Sequence, residues 1–151
     1  MGADDQAKMA HLAPEPVGLY EPFVCSGKLL ALSAISSARD GTLITGKVGR
    51  DLDLQSGEAA ARNAAENLLA VMLDAVGGDF SVVEKILFVR GYVNAADDFH
   101  LVHKVIDAAS KLIVDRLGDK GRHARTAIGC ATLPNNNAVT IDAMVLMADS
   151  S

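Results

Sequence analysis

The densest group of side chains able to do chemistry is Gly121-Arg122-His123-Ala124-Arg125-Thr126-Ala127, where a basic loop runs into an apolar segment. A guanidinium at such a junction presents a planar fork of N–H donors that matches a carboxylate, a geometry the point charge of a lysine cannot offer. Arg125 could therefore anchor a ligand such as a small carboxylate. The plainer alternative is that Arg122 and Arg125 are solvated or paired with nearby acids, as most surface charges are. His123 could add a donor or a pH-dependent charge beside them, or simply be solvated. Ser33, next to Ser36 and Ser37, could bind a carboxylate oxygen or satisfy turn backbone. Tyr20, just before Pro22, could do no more than pack over the first strand. Signatures of other chemistries are missing: there is no GxGxxG, P-loop, GxSxG or HExxH. Cys25 and Cys130 have neither CxxC nor Cys/His ligand spacing, so both read as core thiols, and no metal or organic cofactor is expected.

These residues need elements to hold them. Residues 1–13 have no trustworthy period and read as an N-terminal arm, and Pro14, Pro16 and Pro22 keep the following chain extended. One domain is expected over 14–148. Phe23 to Cys25 and Leu29 to Ser33 are short apolar runs around Ser26-Gly27-Lys28, the pattern of a hairpin, and Leu43 to Lys47 could add a short strand. Asp53 or Ser56 caps a helix in which Ala61, Ala65, Leu68 and Met72 share a face, ending at Gly77-Gly78. Val82 to Val93 contains Ile86, Leu87, Phe88 and Val89 in succession and predicts a central strand apolar on both faces. Asp97 or Asp98 then caps a second helix whose Phe99, Val102, Ile106, Ala109 and Ile113 line up until Gly118. Thr126 to Cys130 and Ala138 to Met147 are two more strands, joined by Leu133-Pro134-Asn135-Asn136-Asn137. In the last, Val139, Ile141, Ala143, Val145 and Met147 share one face, and Thr140, Asp142, Met144 and Leu146 the other. The simplest layering is α+β, with both helices on one face of a mixed sheet. The face left bare must be covered, so an oligomer built sheet to sheet is expected.

Composition limits the partners. A net charge of −5 and no long basic run disfavour nucleic acid. The segment Met1-Gly2-Ala3-Asp4-Asp5 lacks the basic-then-apolar pattern of a leader, and no apolar run reaches the ~18 residues of a membrane span, so a cytoplasmic protein is expected. At 4% aromatics with no Trp, much of the core must be Val, Ile, Leu and Ala, whose small side chains let elements approach closely.

The run Arg125-Thr126-Ala127-Ile128-Gly129-Cys130-Ala131-Thr132-Leu133-Pro134, followed by Val139-Thr140-Ile141-Asp142-Ala143, resembles the C-terminal signature of the Rid superfamily. These are the reactive intermediate deaminases, also catalogued as L-PSP endoribonucleases. The register extends through Tyr20, the strand around Ser33, Asn67-Leu68-Leu69, and Phe88-Val89 to Asp98-Phe99, over roughly residues 14 to 147. The resemblance implies a chorismate-mutase-like fold and a homotrimer with inward-facing sheets and ligand clefts between adjacent subunits. It implies that Arg125 clamps the carboxylate of a 2-imino acid, that main chain near Ala127 holds the imine nitrogen or water, and that Tyr20 and Ser33 line the pocket. The family reaction is hydrolysis of the imine to a 2-keto acid and ammonia.

Two positions depart from the pattern. The family's water-orienting Glu falls at Thr140, whose hydroxyl can hydrogen-bond but cannot act as a carboxylate base. Asp142, two residues along the same strand face and about 7 Å away, could reach a shifted water, or be an acid at a subunit interface. A pocket Asn falls at His103, which has another shape and can titrate. The expectation is a carboxylate-binding imine or enamine deaminase, and the alternative a non-catalytic ligand-binding or regulatory trimer. RNA cleavage is disfavoured by charge.

Overall fold

The computed structural model describes residues 2, 4, 5 and 13–150. The expected arm, residues 1–13, thus falls almost wholly outside the described residues. Strands β1 (Phe23–Ser26) and β2 (Leu29–Ser36) form a hairpin whose turn puts Gly27 at φ 58, where an L side chain would be strained. Helix α1 spans Leu54–Ala75, β3 Val83–Asn94, α2 Val102–Leu117, β4 Ala124–Cys130 and β5 Val139–Met147. The sheet order is β1-β2-β5-β3-β4, antiparallel throughout except for β3 and β4, which are parallel and connected through α2. This is the mixed sheet with two helices that the periodicities predict.

Alternation along β5 shows how the layers meet. Val139, Ile141, Ala143 and Val145 are buried with Leu68, Leu69, Met72, Ile106 and Ile113 of the helices, so this face carries the core. Small residues let the layers close. A Cβ on Gly91 of β3 would lie 2.5 Å from Cδ1 and 2.6 Å from Cγ1 of Ile106, a fully buried side chain of α2. A β-branched side chain with no solvent to move into cannot yield cheaply. Gly91→Ala is expected to cost about 1–3 kcal/mol, the usual penalty of overpacking, read from the shift of the urea unfolding midpoint.

Asp53 caps α1 as expected, its Oδ1 accepting from the Ser56 N–H at 2.8 Å. Four expectations need correction. Leu43 to Lys47 forms no strand: Thr45 makes only an isolated bridge to Asn137, and Gly46 at φ 116 turns the chain away from a ladder. Asp97 and Asp98 do not cap α2, which begins at Val102 after an uncapped Leu101; Phe99, still outside the helix, packs against Gly49 instead. β3 lies inside the sheet between β5 and β4, as expected of a central strand, but it is not apolar on both faces, since it carries Arg90 and Tyr92 on its helix-free side. Cys25 is exposed and Cys130 only half-buried, because both lie on strands at the sheet's two edges.

Candidate functional site

Arg125 stands on β4 opposite Val89, a fully buried residue of β3, so its side chain rises on the helix side of the sheet. There its Nη1 donates to Asp107 Oδ1 at 2.8 Å and to Ser110 Oγ at 3.2 Å, both on α2. Among the described residues nothing takes its Nε or Nη2, and the side chain keeps 24% of its exposure. Spacings of four and three residues put His103, Asp107 and Ser110 on one stripe of α2, with His103 exposed in the first turn. Ala127 follows Arg125 on the same strand face, half-buried against the core. Because β4 is an edge strand, alternate N–H groups of its main chain point away from β3 with no strand partner among the described residues.

Ser110 ties His123 into this edge. The His123 ring meets the Gly121 carbonyl through Nδ1 at 2.6 Å and Ser110 Oγ through Nε2 at 3.0 Å. A carbonyl only accepts, which assigns the proton to Nδ1 and leaves Nε2 to accept from the Ser110 hydroxyl in the neutral ring. Burial holds the His123 pKa below its ordinary value; the bond to Gly121 opposes this, and the charges of Arg125 and Lys85 add to it. The unfolded chain therefore takes up a proton more readily than the folded one. The stability that follows is complete above the unfolded value of about 6.5 and is lost as pH falls through the folded one. The melting temperature of the wild type should thus drop relative to His123→Gln as pH is lowered across that window; a constant difference would contradict the assignment.

Tyr20, Ser33, Thr140 and Asp142 lie together elsewhere, lining a cavity of about 770 Å³ between the 14–22 segment, β2, β5 and the 133–137 loop. Their polar atoms are already engaged. Ser33 Oγ donates to the Glu21 carbonyl at 2.6 Å, Thr140 Oγ1 donates to the Ile35 carbonyl at 2.8 Å, and the Tyr20 hydroxyl accepts from Val17 N at 3.4 Å. Asp142, only 14% exposed, holds Arg90 in a bidentate pair, Oδ1 to Nε at 2.8 Å and Oδ2 to Nη2 at 3.0 Å. Tyr92 shares this wall, and burial and then the charge of Asp142 raise its pKa. The adjoining loop turns through Asn135 and Asn136 at φ 57 and 55, which Asn tolerates, and is pinned where Asn94 donates to Asn136 Oδ1 at 3.0 Å.

The residues singled out from the sequence thus fall into two groups: Arg125, Ala127 and His103 at the α2–β4 edge, and Tyr20, Ser33, Thr140 and Asp142 around the cavity. Asp142 is paired in register with Arg90, beside Thr126 and on the face opposite Arg125, so one chain does not bring the two groups together. Arg90, Tyr92, Asp107 and Ser110 escaped the sequence reading. The signals were there: Arg90 and Tyr92 alternate within an otherwise apolar strand, and Asp107 and Ser110 continue the polar stripe from His103.

A five-stranded mixed sheet backed by two helices, with a forked cation on its edge strand, defines an α+β protein of chorismate-mutase-like architecture. Residues 8–147 match the family described as "YjgF/chorismate_mutase-like, putative endoribonuclease", and the chain belongs to that family. It is 37% identical over 135 residues to Protein TCP17 of Trypanosoma cruzi, covering 88% of this chain and 84% of that one. Among solved structures it resembles a protein of unknown function from Agrobacterium tumefaciens, at 38% identity and a TM-score of 0.87, covering 97% and 96% of the two chains. A "putative endoribonuclease" from Shewanella oneidensis superposes with a TM-score of 0.86 at 27% identity, covering 97% and 99%.

Proposed function

We propose that this protein binds a small 2-imino or 2-keto acid through Arg125, in a cleft between two copies of the chain, and hydrolyses the imine to a 2-keto acid and ammonia. One observation carries the reading: among the described residues Arg125 is anchored by Nη1 alone, leaving its Nε–Nη2 edge to meet a second carboxylate side-on. Asp107 and Ser110 fix the fork before the ligand arrives, which lowers the entropic cost of binding. Arg125 and the Tyr20–Asp142 cavity lie on opposite sides of the sheet, so a ligand touching both groups must be shared between copies. Val24, Leu29, Ile128 and Met144 are exposed on the helix-free face, and their burial against neighbouring copies in a homotrimer would supply that geometry. In the chemical step Arg125 would orient the acid and balance its charge, with water bound at the β4 main chain near Ala127 attacking the imine carbon. The test is ammonia release from freshly generated 2-iminobutyrate. Release above the uncatalysed rate supports the reading, and none sinks its catalytic part.

A second reading, a non-catalytic ligand-binding trimer, has its own support. The Thr140 hydroxyl donates to Ile35 and both Asp142 oxygens are held by Arg90, so neither is a free base. Saturable binding of 2-oxobutyrate with no ammonia release would select it. RNA cleavage, named in the family's description, has against it the net charge of −5.

A further inference from the structure

The cavity beside Tyr20 and Thr140 is much larger than the head group of a small 2-keto acid requires. At about 770 Å³ it falls within the range, roughly 300–1,000 Å³, of sites that enclose drug-sized ligands. Its walls are mainly apolar: Pro16 and Val17 from the N-terminal segment, Leu43, Val71 from α1, and Pro134. Among the described residues no Lys, Arg or His lines it, so an anionic group inside would find no countercharge among them. A cationic group fares no better. Asp142 spends both oxygens on Arg90, and Glu15, the other acid among the described lining residues, is solvent-exposed.

We infer that this cavity receives an uncharged alkyl or aryl side chain, so that the protein's substrates are 2-imino and 2-keto acids with long apolar tails. The inference rests on the carboxylate reading of Arg125, which holds the head group outside the cavity while the tail is desolvated within it. Val17, a wall residue 87% exposed, keeps apolar surface that a tail could cover.

Isothermal titration of the full chain with straight-chain 2-keto acids, from 2-oxobutyrate to 2-oxodecanoate, tests it. Each added methylene is expected to tighten binding about fourfold, the equivalent of ~0.8 kcal/mol, until the cavity is full. Val17→Asp, at an exposed position that does not threaten the core, should cut the ratio of 2-oxooctanoate to 2-oxobutyrate affinity at least tenfold. A wild-type series flat within twofold overturns the inference, as does a slope that Val17→Asp leaves intact, since the tails would then be binding elsewhere. Arg125→Ala separates the two claims. Uniform weakening of every acid with the slope retained supports both; a retained slope with no weakening removes the carboxylate reading and leaves the cavity assignment standing. A flat wild-type series that Arg125→Ala still weakens removes the cavity assignment alone, and no binding by any acid removes both.

Discussion

Arg125→Ala should weaken 2-keto acid binding about a hundredfold while leaving the protein folded. Two charge-assisted hydrogen bonds from the Nε–Nη2 edge, worth about 1.5–3 kcal/mol each, sum to at least ~3 kcal/mol. Folding loses far less, because the pair given up is Arg125 with Asp107, whose carboxylate is about half-exposed. Pairs of that kind contribute ~0–1 kcal/mol. Arg125→Lys keeps the charge and loses the fork, so it should recover only part of the affinity. Titration calorimetry beside a thermal melt separates the two effects: equal affinity for the wild type and Arg125→Ala would remove the carboxylate clamp.

The second large effect is expected at Met144, on the middle strand β5 and facing away from the helices, opposite Ala31 on one side and Phe88 on the other. In a single chain this position is 38% exposed, so the carboxylate of Met144→Asp stays hydrated and the fold survives. Buried between sheets, each unpaired carboxylate would cost several kcal/mol, and symmetry repeats that cost in every copy. Sedimentation should accordingly find Met144→Asp as a 15.8 kDa monomer where the wild type sediments as a larger species. Because the proposed cleft needs two copies, keto acid affinity should disappear with the assembly. An assembly unaffected by Met144→Asp would mean that the sheet face is not the contact.

The two variants probe different parts of the same site. In the proposed cleft Arg125 would act within its own chain, held by α2 and β4, whereas Met144, on the opposite sheet face, would act only by bringing a second chain's cavity to the first chain's clamp. Loss of binding in both, with loss of assembly only in Met144→Asp, is the pattern a shared cleft requires.

Much of the architecture is decided locally and can be read without coordinates. The three- and four-residue spacings from Ala61 to Met72, the Asp53 cap, the Gly27 turn and the strict alternation from Val139 to Met147 depend only on neighbours in the chain, and they mark α1, the hairpin and β5. Arg125 was legible too, as a fork-shaped cation at a loop-to-strand junction. Where local signals compete, the sequence misleads. Asp97 and Asp98 are good helix caps by type, yet Phe99 packs on Gly49 and delays the helix to Val102. Leu43 to Lys47 has strand composition, but Gly46 and the bridge to Asn137 hold it out of the sheet.

Only tertiary structure could assign partners, because pairing across strands and between layers depends on register rather than on sequence distance. It joined Arg90 to Asp142 across fifty-two positions of chain and Arg125 to Asp107 across eighteen. It likewise placed Arg125 and Asp142 on opposite faces of one sheet. Residue types alone therefore determined that this chain carries a fork-shaped cation at a loop-to-strand junction and an apolar sheet face. Which face of the sheet each occupies was settled only when the strands were laid in order.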